Sequence, residues 1–239
     1  MRGGLVLAYH DIGSEKAATT DYYVSPERLR AHLAQARRSG MEFVSLSTLT
    51  AAVTEGRCVD GMLAVSFDDA LAGVHHHALP CLLELNVPAT VFVVTSELGV
   101  TPPWWDGSGR TMTRAELAEV ASVGLELAAH TRHHPSLLGL PLAQLHDEVG
   151  GSRREIEDLT SRPVDLFAYP FGHHDAAARA EVTQAGFTAA YTFTNGRIMP
   201  GMNPLRLPRL TMSARQNRAR FAYQLARPPS SWPPESDET

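Results

Sequence analysis

The feature that most constrains this chain is a recurrence of short apolar runs, at residues 5–9, 43–46, 62–67, 89–94, 125–129, 166–169, 188–193 and 205–211. Several are almost continuously apolar, which suits strands covered on both faces and therefore a parallel sheet. Helical patterns fill the gaps at 26–39, 74–85, 113–122, 142–159 and 175–185. Ser25 before Pro26, and Thr113 with Glu116 three residues on, carry the chemistry of helix starts. Gly40, Gly124 and Gly186 follow helical segments, where a left-handed cap is expected. Strand and helix alternate throughout, so the predicted fold is α/β, a distorted barrel in a single domain.

At 239 residues with 44% hydrophobic side chains, the chain can build one large core. The domain is predicted over residues 1–226. The stretch 227–239, RPPSSWPPESDET, has too much proline and too little apolar surface to fold and is expected to be a mobile tail. A net charge of −5 offers no basic surface for a phosphate backbone, so nucleic acid is excluded as a natural partner. Cys58 and Cys81 share no CxxC and are expected to be small buried hydrophobes. No run approaches the ~18 apolar residues of a spanning helix, and the apolar stretch 5–9 is too short for a signal-peptide core, so a cytoplasmic location is expected, or export if a leader has been trimmed.

Chemistry-bearing residues sit directly after the predicted strands: His10, then Asp68 and Asp69, then His130 and His134, then the turn Tyr169-Pro170-Phe171-Gly172. In a parallel barrel the strand C-termini open on one face, so these residues are expected to converge. One of the adjacent carboxylates can hold a metal while the other faces water; the competing use is a cap for a helix starting near Leu71. His130 and His134, four apart in AHTRHHP, join a carboxylate to make a common ligand set for zinc, with His130 and His133 as the other pairing the spacing allows. The triplet His75, His76 and His77 falls inside a helical pattern and is read as a solvated face. His173 and His174 follow the last turn and are candidate substrate contacts.

Together VSFDDA, AHTRHH and FAYPFG resemble the successive motifs of the polysaccharide deacetylase family, also called carbohydrate esterase family four, and ALPCLLELNVPATVFVV resembles the helix and strand between them. The similarity spans residues 5–212. It implies a distorted barrel of about seven strand-helix units and a hydrolase that removes N-acetyl groups from an amino sugar, glycan or glycoconjugate. It assigns Asp68 as catalytic base, and Asp69, His130 and His134 as ligands of one divalent metal, with zinc first and cobalt, nickel, manganese or iron as alternatives. It makes His133 a bystander, gives Thr131 the task of bracing the metal loop and the Phe171 amide that of stabilising the oxyanion, and sets the loop containing Tyr169 as a groove wall.

Three departures accompany the resemblance. Ala70 stands where the family usually has glycine, and Ala168 where it usually has an arginine; Arg209 in LRLPRL is the candidate substitute, the alternative being a surface arginine. The family's C-terminal Leu-x-His has no counterpart after Gly172, while LVLAYH at the N-terminus resembles it moved to the front, as in a circularly permuted member. His10 is then the candidate general acid. Trp104 and Trp105, in TPPWWDG, are placed either to stack on a sugar or to pack, with Trp105 the favoured substrate contact. Two further readings remain: hydrolysis of a non-carbohydrate amide in a closed pocket, and an inactive sugar-binding module. The sequence leaves the oligomeric state open.

Overall fold

A computed structural model describes residues 3–13, 20–105 and 109–226 of the chain. The order of elements is β1 (Leu5–Tyr9), β2 (Asp11–Ile12), β3 (Tyr23–Val24), α1 (Pro26–Arg38), β4 (Glu42–Phe43), α2 (Leu46–Thr54), β5 (Met62–Phe67), α3 (Leu79–Leu85), β6 (Ala89–Val93), α4 (Arg114–Ser122), β7 (Glu126–Ala129), α5 (Leu142–Thr160), β8 (Leu166–Ala168), α6 (Ala176–Gln184), β9 (Ala189–Tyr191), β10 (Leu210–Thr211) and α7 (Arg218–Ala226). One parallel sheet runs in the order β10-β1-β5-β6-β7-β8-β9, with β4 added beside β5. Its two ends approach each other through a bridge between Tyr191 and Leu207, so the sheet curls into an irregular barrel. This is the distorted strand-helix barrel the pattern predicts.

Strand β1 shows why its sequence is apolar at every position. Leu5, Leu7 and Tyr9 belong to the layer between sheet and helices, while Val6 packs in the barrel interior with Ala64, Phe92 and Tyr191. Both faces are therefore buried, and each fully buried Leu or Val contributes about 1.5–3 kcal/mol of transfer free energy. The register places Tyr9 beside Phe67 and Leu7 beside both Val65 and Leu210, so β1 lies between β5 and β10.

Helix starts follow their caps. Ser25 accepts the Arg28 N–H ahead of α1, and Thr113 with Glu116 forms a complete capping box at α4. The segment Val74–Ala78 is a π turn leading into α3, because Pro80 has no N–H to give the His76 carbonyl. His76 and His77 lie exposed on it, and His75 reaches Glu119 at 2.7 Å.

Several sequence expectations need correction. The strand predicted at 43–46 stops at Phe43, because Ser45 accepts the Thr48 N–H and starts α2, a helix hidden by its threonines. The strand predicted at 205–211 shrinks to Leu210–Thr211, since Pro204 opens a 3-10 turn and Pro208 cannot donate to a ladder. Cys58 is exposed, in the loop after α2, and only Cys81 is buried. Residues 227–239, expected to form a tail, lie outside the described residues. No helix among the described residues is long and apolar enough to cross a membrane.

Candidate active site

The C-terminal ends of β1, β5, β7 and β8 carry His10, the Asp68-Asp69 pair, His130 with its loop to His134, and the turn at 170–172. Seven non-glycine residues in the described chain have positive φ, and five are at this end: Asp69 (67°), Ala70 (51°), Thr131 (68°), His134 (60°) and Phe171 (58°). Left-handed backbone costs a residue with a Cβ, so this clustering marks a segment held against its local preference. Ala70 thus occupies a conformation in which glycine would be unstrained. A helical turn does begin at Ala72, directly after Leu71, and runs on into the π turn, but neither aspartate caps it. Gly172 is required where it stands: a Cβ there would lie 2.7 Å from the Phe193 nitrogen.

Asp69, His130 and His134 meet. Asp69 Oδ1 lies 3.6 Å from His130 Nε2 and 3.3 Å from His134 Nε2, with all three residues buried. Asp69 Oδ1 has no hydrogen-bond partner. The His130 Nδ1–H donates to the Ala168 carbonyl at 2.7 Å, which leaves the lone pair of Nε2 facing Asp69. Ligand atoms around a tetrahedral ion with bonds of 2.0–2.1 Å sit about 3.3 Å apart. The residues present therefore fit a divalent cation. His133 turns away, with Nδ1 at 2.8 Å from Glu148, so the alternative pairing of His130 with His133 is not formed.

Asp68 lies behind Asp69 and is fully buried. Arg209 donates to both of its oxygens, at 2.6 and 2.8 Å, and also to the Thr192 carbonyl at 3.1 Å. Its guanidinium packs 5.3 Å from the Phe92 ring centroid and is fully buried, so it is not a surface residue. Arg209 supplies from β10's approach the positive charge that Ala168 cannot.

Electrostatics separate the two aspartates. Burial opposes ionisation of Asp68, but the surrounding groups together, Arg209 first among them, outweigh it and hold the carboxyl down at about 2. Asp69 has no such partner; burial, reinforced by the charge on Asp68, pushes it up to about 8. Burial lowers His10 to about 4 against the opposing pull of Asp68, and lowers His134 to about 2. The imidazoles are neutral at pH 7 and able to act as ligands or proton acceptors.

A cavity of about 340 Å³ opens above the triad. Its polar lining comes from His10, Asp69, His130, His134 and His173, and its aromatic lining from Tyr22, Trp104, Trp105, Phe171 and Phe193. Trp104 stacks on His134 at 4.4 Å, and Trp105 lies parallel to His10 at 6.0 Å. Phe171, Tyr22 and His173 are the exposed members of the rim. Tyr22 and Phe193 had no signal in the sequence, because neither follows a recognisable motif. Two expected contacts fall outside the cavity. Tyr169 is fully buried with its hydroxyl donating to the Leu205 carbonyl at 3.1 Å, and His174 stacks on it at 4.5 Å.

Comparison with known proteins agrees with this layout. A family model described as polysaccharide deacetylase matches residues 56–190. The poly-β-1,6-N-acetyl-D-glucosamine N-deacetylase of Staphylococcus aureus strain MRSA252 is 20% identical over 202 residues, covering 81% of this chain and 69% of that protein. The Streptococcus pyogenes deacetylase PplD, solved in complex with acetate, superposes with a TM-score of 0.82 at 20% identity, covering 93% of this chain and 98% of that one. IcaB from Ammonifex degensii gives 0.81 at 21% identity, with 94% and 96% covered. Fold, strand-end motifs and the family match coincide: this chain belongs to the polysaccharide deacetylase family.

Proposed function

We propose that the chain is a metal-dependent N-deacetylase acting on an N-acetylated amino sugar within a glycan or glycoconjugate. The observation that carries this reading is the buried Asp69, His130 and His134 triad under an aromatic-rimmed cavity, next to an ionised Asp68. Asp69, His130 and His134 would hold the cation, which when bound polarises an acetamide carbonyl and favours ionisation of water. Zinc suits this donor set best, although cobalt, nickel, manganese and iron also accept it.

The chain's own groups divide the remaining work. Arg209 occupies one lone pair on each Asp68 oxygen, and each oxygen keeps a second with which Asp68 accepts the proton of the attacking water. The N–H of Phe171, on the strained turn at the cavity mouth, donates to the oxyanion. His10, whose Nδ1 has no protein partner, would hand a proton to the departing nitrogen from its protonated form, which burial opposes and the charge of Asp68 favours, because an amine cannot leave as an anion at neutral pH. Water adds to the carbonyl carbon, the C–N bond breaks, and acetate and a free amine result. Trp104, Trp105, Phe171 and Tyr22 offer apolar faces to a sugar ring.

The open aromatic rim favours a sugar over a small amide, which a closed pocket would serve, and the buried Asp68–Arg209 pair is a device that a mere binding module does not need. The S. aureus relative's name points to N-acetylglucosamine as the sugar to try first. The test is acetate release from N-acetylglucosamine monomers, oligomers and conjugates with each metal added in turn. Release from at least one sugar is expected; hydrolysis confined to non-carbohydrate amides, or none at all with binding retained, would contradict the reading.

A further inference from the structure

The loop between the two histidine ligands is held by backbone only through its carbonyls, Thr131 accepting from the Thr95 N–H at 3.2 Å and Arg132 from the Ser96 N–H at 2.9 Å; its amides find other partners. The N–H groups of Arg132 and His133 both donate to Glu148 Oε2, each at 2.9 Å, and the N–H of His134 donates to Thr131 Oγ1 at 2.9 Å. His133 adds its ring, Nδ1 lying 2.8 Å from Glu148 Oε1. Three successive amides are thus received by side-chain oxygens, and among the described residues none of them donates to a backbone carbonyl. Thr131 and His134, at either end of the run, are left-handed, so the segment cannot close as a helical turn would.

Glu148 itself is buried, projecting from α5 between the core residues Leu145 and Val149. A buried carboxylate needs several donors, and here they come from one loop: two consecutive amides converging on one oxygen form a nest for an anion. The His133 ring closes the arrangement from the solvent side. The amount of order this carboxylate imposes is exported directly to the next residue, His134, whose Nε2 stands 3.3 Å from Asp69 Oδ1.

We propose that Glu148 is a positioning residue for the metal site: its carboxylate fixes the 131–134 loop and thereby sets the affinity with which Asp69, His130 and His134 hold a cation. The inference rests on the metal-dependent reading above and deepens it. Glu148 touches neither cation nor substrate, so its effect belongs in metal affinity, and chemistry should survive once metal is saturating. Second-layer partners of this kind typically change metal affinity by ~10- to 100-fold. Glu181 provides a control. It is equally buried, one helix away on α6, and meets His146 of α5 at 2.9 Å without contacting the loop.

The experiment titrates zinc alone into metal-stripped protein against a chromophoric chelator, for the wild type, Glu148→Gln, Glu148→Asp and Glu181→Gln, with thermal midpoints recorded alongside. Glu148→Gln places an amide N–H against donors and should bind zinc about 10- to 100-fold more weakly. Glu148→Asp keeps the charge and should recover part of that loss, and it also carries the test if the glutamine variant does not fold. Glu181→Gln should bind as the wild type does. The kcat of Glu148→Gln in excess zinc should return to within a few-fold of normal. Zinc binding by the Glu148 variants within about threefold of wild type, or an equal loss in Glu181→Gln, overturns the proposal. Failure of the wild type itself to bind zinc would instead overturn the metal-dependent reading, and this inference with it.

Discussion

Arg209 and Asp68 are both fully buried, so neither can relax into water if the other is removed. Breaking such a pair by truncating one partner typically costs about 3–5 kcal/mol, because a bare charge remains. Asp68→Asn should therefore lose acetate release and also lower stability, and Arg209→Met should lower stability comparably. The double variant should be less unstable than the sum of the two, since it leaves no orphaned charge; urea unfolding at pH 7 measures this coupling. The pH dependence has a definite sign. Asp68 is held below its unfolded value, so its contribution is complete above pH ~4 and disappears as pH falls toward about 2. The stability gap between wild type and Asp68→Asn should be constant from pH 5 to 7 and shrink below pH 4; an unchanged gap at pH 3 would argue against the ion pair. The residue types at this site were legible because the motifs stand beside strands. Arg209 was legible only as a candidate, since its partner lies 141 positions away and no periodicity links them.

At the scale of elements, β1 decides whether an N-terminal residue can serve the site. It is hydrogen-bonded between β5 and β10, and this brings His10 to the same strand-end face as Asp69 and His134. The resemblance of LVLAYH to the family's Leu-x-His element suggested this position, because in a curled sheet the first and last strands become neighbours. His10→Ala should lower kcat by about 10²- to 10⁴-fold with metal content unchanged. Burial holds His10 low, at about 4, so the limb on which the wild-type rate falls as His10 loses its proton should lie to the acid side of an ordinary histidine's, and that limb should vanish in the variant. A profile of the same shape in both would leave His173 or solvent as the donor. Elements with a single strong signal were read correctly: α1 and α4 from their caps, β5 and β6 from continuous apolar runs. Those with competing signals were not. Helix α2 carries threonines that favour strands, and the segment around β10 is apolar but interrupted by Pro204 and Pro208. Tyr169 illustrates a third kind of miss, because its motif is functional while its own side chain is a core residue.

At the scale of the whole molecule, the barrel gathers residues from four strand ends spread over more than a hundred positions, and five left-handed residues hold the loops that present them. The apolar faces that build the core and the polar residues that build the site are segregated along each strand, core within and site at the C-terminal tip. That segregation is why both could be read from one pattern. Closure of the rim by Tyr22 and Phe193 could not, because it depends on loop paths that no local signal encodes. The most direct test of the account measures metal content and acetate release together in the wild type, Asp69→Ala and His134→Ala. The wild type should bind one divalent metal per chain and lose acetate release when it is stripped, and both variants should lose metal and activity together. Full metal occupancy in both variants, or acetate release that survives stripping, would contradict it.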